Sequence, residues 1–233
     1  MVVRFGERMN AVVARIALLI RLFEENRNAA NAKPMQNYMK GHFPFLGIKS
    51  PLRKKLEKQF FKETGILKEP FNKELIEELW NKQEREYQYT ALTYMEKSLN
   101  KLQKSDLPFM EWLITTKSWW DTVDAVAPKP VGKIAGDFPE VIEEAINGWA
   151  LHENMWLRRA AILFQLKYKE KTNEDLLFRY ILENADSKEF FIQKAIGWAL
   201  REFSKTNPAT VKEFIEGHKL APLSVREGSK YLE

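Results

Sequence analysis

The stretch WLRRAAILF (156–164) aligns with FIQKAIGWA (191–199) at a shift of 35 residues. YQYTALTYM (87–95) fits that frame two shifts earlier, and WDTVDAVAP (120–128) stands between them, displaced by about one residue. A period of about 35–45 residues carrying two helices marks HEAT-like solenoids, in which each helical hairpin buries its apolar face against its neighbours. The pattern therefore predicts an all-α, HEAT-like helical-repeat solenoid whose inner helices line a concave basic groove. An irregular helical bundle is the alternative.

On either side of these repeats, apolar periodicity predicts helices over 2–26, 33–41, 51–63, 72–81, 84–99, 106–116, 119–127, 130–136, 139–149, 154–168, 173–184, 188–204, 208–216 and 222–231. No convincing strand interrupts them. Ser50-Pro51, Ser105 before Asp106, and Asn207-Pro208 mark starts, each a capping side chain ahead of a helix-compatible residue or a first-turn proline. No low-complexity linker divides the 233 residues, so a single domain over 1–233 is expected.

Composition narrows the function classes. Lysine and arginine number 37 against 32 acidic residues, a net charge of +5 compatible with a polyanionic partner but weak evidence taken alone. With no cysteine, disulfides, thiolate chemistry and cysteine-rich zinc sites are excluded. AVVARIALLIRLF near the N-terminus is interrupted by Arg15 and Arg21 and followed by Glu24 and Glu25, so it reads as an amphipathic core helix and not a membrane anchor or signal peptide. A soluble cytoplasmic protein is the expectation.

The repeat frame places Asp124, Arg159 and Lys194 in one row across successive inner helices. Trp120 lies four residues before Asp124, and Trp198 four after Lys194. In SWWDTVD (118–124), Ser118 and Asp121 read as cap and first-turn acid. Trp119, Val123 and Val126 form the core stripe. Trp120 and Asp124 are left over. An Asp124–Arg159 ion pair has a purely structural explanation, as tryptophans at helical spacing do, and pattern alone does not exclude it.

Basic residues surround the row. Lys194, Arg201 and Lys205 recur along one helix face with Trp198 among them, a stripe suited to a phosphate backbone. Lys49, Arg53, Lys54, Lys55 and Lys58 crowd the start of another helix. Each set taken singly is more often an ordinary solvated face, but their joint occurrence favours nucleic acid. His42, His152 and His218 lack ligand spacing, which argues against a metal site. The ten glycines form no phosphate-cradling loop, so no nucleotide cofactor is implied, and no serine has a histidine and acid partner in the frame.

KSWWDTVDAV (117–126), MWLRRAAILFQLKYK (155–169), SKEFFIQKAIGWALREFSKTNP (187–208) and MQNYMKGHFPFLGIKSP (35–51) closely resemble the bacterial AlkD-type DNA alkylation repair glycosylases, in order and over most of the chain. The resemblance implies HEAT-like repeats and excision of positively charged alkylated purines, such as 3-methyladenine and 7-methylguanine, from double-stranded DNA by cleavage of the N-glycosidic bond. It implies Asp124 as catalytic carboxylate, Arg159 as groove arginine, Trp120 and Trp198 as lesion-side rings, and Tyr38 as a DNA-facing residue. It further implies a lesion that stays stacked, without base flipping. Lys49 in GIKSP stands where the family pattern has glutamine or another polar residue, adding a cation for phosphate contact. The first 30 or so residues resemble the family weakly. No cofactor is expected, and one chain supplies the whole site, so a monomer is expected. A non-catalytic HEAT-like module binding nucleic acid or protein, or a scaffold for acidic proteins, is the alternative from another class.

Overall fold

The computed structural model describes residues 2–232, with side chains from residue 11 onward. Among them no strand occurs, so the all-α expectation holds. Two compact units make up the chain, residues 1–101 and 102–233.

In the first unit α1 (Val2–Glu24) buries Val12, Ile16, Leu19 and Phe23, a stripe at helical spacing. Arg15, one of the charges breaking up the apolar run, forks onto Glu69, with Nη1 donating at 3.0 Å. No helix among the described residues is long and apolar enough to cross a membrane. Helix α2 (Ala29–Tyr38) begins four residues earlier than periodicity suggested, because Asn28 Oδ1 accepts from the Asn31 N–H at 3.0 Å and caps it there. It is followed by Lys40 and Gly41 at positive φ.

The loop between α2 and α3 (Ser50–Thr64) is held by Glu86, at the start of α5 (Arg85–Lys97). Its buried carboxylate accepts from the backbone N–H groups of Leu46, Gly47 and Ile48 at 3.0, 2.9 and 3.1 Å. Gly47 is required there: at φ +87° a Cβ would lie 1.9 Å from Asn28 O. Lys49, not Ser50, is the cap of α3, and Ser50 lies inside the helix. Helix α4 (Lys73–Asn81) packs on α1 and α5.

In the second unit Asp106 accepts from the Gln103 N–H at 2.8 Å, closing a capping box around the short 3₁₀ turn Lys104–Asp106; α6 (Leu107–Thr115) follows directly, with Asp106 at its start making no cap bond to it and Ser105 inside the turn. Helix α7 (Trp120–Val126) runs through a widened π turn, Ala127–Val131, into α8 (Gly132–Asp137), where the periodicity predicted two separate helices. Pro128 and Pro130 have no N–H to donate, and the ladder resumes with Gly132 N–H reaching back five residues to Ala127 O. A second π turn, Ile142–Ile146, leads into α9 (Asn147–Ala150).

Helices α10 (Met155–Leu163), α11 (Glu174–Glu183), α12 (Phe190–Phe203), α13 (Pro208–Gly217) and α14 (Pro222–Gly228) complete the chain. Helix α10 stops five residues short of the predicted end at 168. Asn207 precedes α13 as predicted, but its side chain makes no cap bond and reaches Glu174 instead. The repeat is visible in the element starts: α5, α7, α10 and α12 begin at 85, 120, 155 and 190. Within the second unit α10 packs against both α7 and α12, so residues one period apart become neighbours.

Candidate active site

Helix α7 presents Asp124 one turn after its own start. Trp119, extended at φ −158°, ends the approach, Asp121 occupies the first turn, and Val123 and Val126 are fully buried and fix the helix rotation. Ser118 does not cap α7: its Oγ donates to Ile114 O at 2.6 Å and closes the end of α6. The capping pattern pointed at the wrong helix because two helix ends lie within a few residues of each other.

Arg159 meets Asp124 as the repeat frame expected. Its Nε donates to Oδ1 at 2.7 Å and its Nη2 to Oδ2 at 2.9 Å, a bidentate pair. The arginine side chain is 5% exposed and the aspartate 17%, so the carboxylate retains a window to solvent while the guanidinium has almost none. Burial raises the Asp124 carboxyl above its ordinary value and nearby Asp121 adds to this; the hydrogen bonds and charge of Arg159 oppose it. A permanently charged, buried guanidinium without a charged carboxylate would be costly, so Arg159 favours the ionised form of Asp124 against the effect of burial. Each Asp124 oxygen still has a second acceptor direction beyond its bond to Arg159.

The third face of the guanidinium is also used. Arg159 Nη1 donates to the Phe191 carbonyl in the first turn of α12. Trp120 and Trp198 are both half-buried, Trp120 one helical turn before Asp124 and Trp198 two turns beyond Phe191. On α12, Ile192, Ala195, Ile196, Ala199 and Leu200 form the buried stripe, which leaves Lys194, Trp198 and Arg201 together on an adjacent one.

The cations named from the sequence have different environments. Lys49 and Lys54 are exposed at the start of α3, and Tyr38 is 70% exposed at the end of α2. Arg53 donates to the buried Glu57 at 2.7 Å and lies 4.8 Å from the Tyr89 ring centre, which gives it a structural role. Lys194 and Arg201 both pair with Glu227 of α14, at 3.3 and 3.2 Å, and Lys205 pairs with Glu202 at 2.7 Å. Arg226 and Lys230 also reach Glu227, so four cations surround one carboxylate, whose pKa is pushed down to about 2, chiefly by the Lys230 hydrogen bond. Among the described residues no group of three histidines, aspartates or glutamates comes together to hold a metal ion.

Glu227 was not legible in the pattern, since it lies outside the repeat frame and reaches α12 only through packing. Trp156 and Phe191 were also missed, although a signal existed: they are the first residues of the two aligned stretches, WLRRAAILF and FIQKAIGWA.

An all-helical chain whose repeats bring a solvent-touching carboxylate onto a buried arginine, with Trp120 one helical turn before that carboxylate, defines a helical-repeat protein with a candidate active site on its repeats. Residues 19–232 match the family model described as DNA alkylation repair enzyme, and the chain belongs to that family. A solved structure described as a predicted DNA alkylation repair enzyme from Enterococcus faecalis is 40% identical over 88% of this chain and 96% of its own, with a TM-score of 0.80. AlkD2 from Streptococcus mutans is 20% identical over 78% of this chain and 97% of its own, with a TM-score of 0.58, a likeness of fold. No curated protein matches the chain.

Proposed function

We propose that this DNA alkylation repair protein is a glycosylase that hydrolyses the N-glycosidic bond of positively charged N3- or N7-alkylated purines in double-stranded DNA. The observation that carries the reading is the Asp124–Arg159 pair, a carboxylate gripped by both oxygens on a buried arginine yet still touching solvent. An alkylated purine that is already cationic leaves without a general acid, so one carboxylate suffices. As the C1′–N bond lengthens, positive charge develops on the deoxyribose, as in O-glycoside cleavage. Asp124 stabilises that oxocarbenium ion electrostatically, accepts a proton from the water attacking C1′ and orients it through its remaining acceptor direction. Trp120 and Trp198 offer π faces to the cationic base and sugar, each contributing about 0.5–2 kcal/mol.

Selectivity then follows from the lability of the cationic lesion and needs no base flipping. We read the helix pairs as HEAT-like repeats, with one monomer acting on DNA in the cytoplasm; within the first unit Tyr38, Lys49 and Lys54 are the candidate backbone contacts, and within the second Lys194, Arg201 and Lys205.

The test is release of 7-methylguanine from duplex DNA by wild type and by Asp124→Asn, with duplex affinity measured beside it. Asparagine keeps one oxygen for Arg159 but carries no charge. We expect single-turnover release to fall by about 100-fold or more, with affinity retained. Equal rates would remove Asp124 from the reaction, and no release by wild type would leave the chain a non-catalytic DNA-binding module.

A further inference from the structure

Each helix that carries a residue of the Asp124 site has one aromatic ring of a cluster beside Arg159 on it or directly before it. Trp119 directly precedes α7, which holds Trp120 and Asp124; Trp156 lies on α10 with Arg159; Phe191 lies on α12 with Trp198. Ring centres of Phe191 and Trp119 are 5.1 Å apart at 70°, those of Phe191 and Trp156 5.1 Å apart at 40°, and those of Trp119 and Trp156 5.7 Å apart at 57°. These separations and tilts suit favourable aromatic contacts. Phe191 also supplies the carbonyl that accepts from Arg159 Nη1, and its ring centre lies 5.9 Å from the guanidinium carbon.

A guanidinium presents five N–H groups in one plane. With Nε and Nη2 committed to Asp124 and the side chain 5% exposed, Nη1 must find a protein acceptor, because little water reaches it. The Phe191 carbonyl is that acceptor, and its place depends on where the first turn of α12 sits. The ring of the same residue, held between Trp119 and Trp156, fixes that turn relative to α7 and α10.

We propose that Phe191 is a positioning residue: through its carbonyl and its ring it holds the Arg159 fork so that both Asp124 oxygens are engaged. This rests on the reading of Asp124 as the working carboxylate, but its test does not depend on that reading alone. If the fork is loosened, Asp124 loses the influence that keeps its proton off, and its titration moves to higher pH. The charges acting on Asp124 are Asp121 on its own helix and Arg159 on α10. Of the other charged groups on the elements packed against α7, Glu111 on α6 accepts from Trp149, Arg158 on α10 donates to the His152 and Glu153 carbonyls, and Lys129 lies in the π turn. A residue that merely fills space would change stability without moving that titration.

The experiment compares wild type, Phe191→Leu, Phe191→Tyr and Trp156→Phe. Asp124 is titrated by the carboxyl carbon signal in 13C-aspartate-labelled protein, and single-turnover release of 7-methylguanine is followed against pH. Leucine at 191 is expected to raise the Asp124 midpoint by about half a pH unit or more and to slow release about ten-fold at pH 7. Tyrosine should restore both, and Trp156→Phe, which keeps a ring in the cluster, should give a smaller shift in the same direction. A lower melting temperature with an unmoved Asp124 midpoint would overturn the proposal. Should Phe191→Leu fail to fold, the Trp156→Phe titration decides alone, its shift upholding the proposal and its absence overturning it. Should wild type release no base, the catalytic reading fails, while the carboxyl titration still upholds or overturns the role of Phe191.

Discussion

Asp124 is pulled in two directions by its surroundings. Burial and Asp121 raise its pKa, whereas the two hydrogen bonds and the charge of Arg159 lower it, and burial prevails. If the ionised form is the active one, excision declines as pH falls through this midpoint, which lies above that of an ordinary aspartate. Arg159→Gln removes the lowering influences, so the acid limb should move to higher pH and the rate at pH 7 should fall at least about ten-fold. A pH–rate profile for both proteins checks this, and an unmoved limb would detach Arg159 from the proton affinity of Asp124. Linkage gives the sign for stability. A folded-state value above the unfolded one makes this aspartate cost stability at pH values above it, and the cost disappears on acidification. The arginine was legible from the 35-residue shift. Its third bond, to a main-chain carbonyl, was not, since any residue type supplies a carbonyl and only packing decides which one arrives.

Helix α12 carries Lys194, Trp198 and Arg201 on one face, and α14 approaches that face at Gly197. A Cβ there would lie 2.5 Å from Glu227 Cβ and 3.0 Å from Ser224 O. Ser224 Oγ in turn donates to Gln193 O at 2.9 Å. Gly197→Ala should therefore push α14 away and lower stability by about 1–3 kcal/mol in denaturant unfolding. It should also loosen the Glu227 ion pairs with Lys194 and Arg201. Because the Glu227 carboxyl is held well below its ordinary value, at about 2, its contribution to stability is complete above the unfolded value. It is lost as pH falls from about 4 towards 2. Glu227→Gln should flatten the fall in melting temperature across that window, and an unchanged slope would mean that the four cations hold α14 no more tightly than a neutral side chain does. At the level of elements, most helices lie within a few residues of their predicted spans. Exceptions have local causes: an asparagine cap at residue 28, prolines that force a π turn, and a serine that closes one helix instead of opening the next.

For the molecule as a whole, the distribution of positive charge matters more than its sum. In the first unit Lys49 and Lys54 are exposed, while Arg53 is occupied by Glu57. In the second unit, Lys194, Arg201 and Lys205 already hold carboxylates. Duplex binding should weaken steeply with salt, and a double change of Lys49 and Lys54 to alanine should reduce the slope of log affinity against log salt by about 1.8, at roughly 0.9 for each phosphate no longer neutralised. A slope unaltered by these two changes would exclude the start of α3 from the interface.

The sequence by itself determined what is periodic. Helices recur because apolar residues recur at helical spacing, and Asp124 meets Arg159 because both occupy equivalent places one period apart on helices that pack side by side. The absence of cysteine was equally decisive for the chemistry it excluded. The tertiary structure alone decided what is not periodic: the Phe191 carbonyl on Arg159, the three rings beside it, and the Glu227 carboxylate among the cations of α12. Those interactions join residues whose chemical types carry no mark of their partners, and only the close approach of helices, at positions such as Gly197, selects the pairs that form.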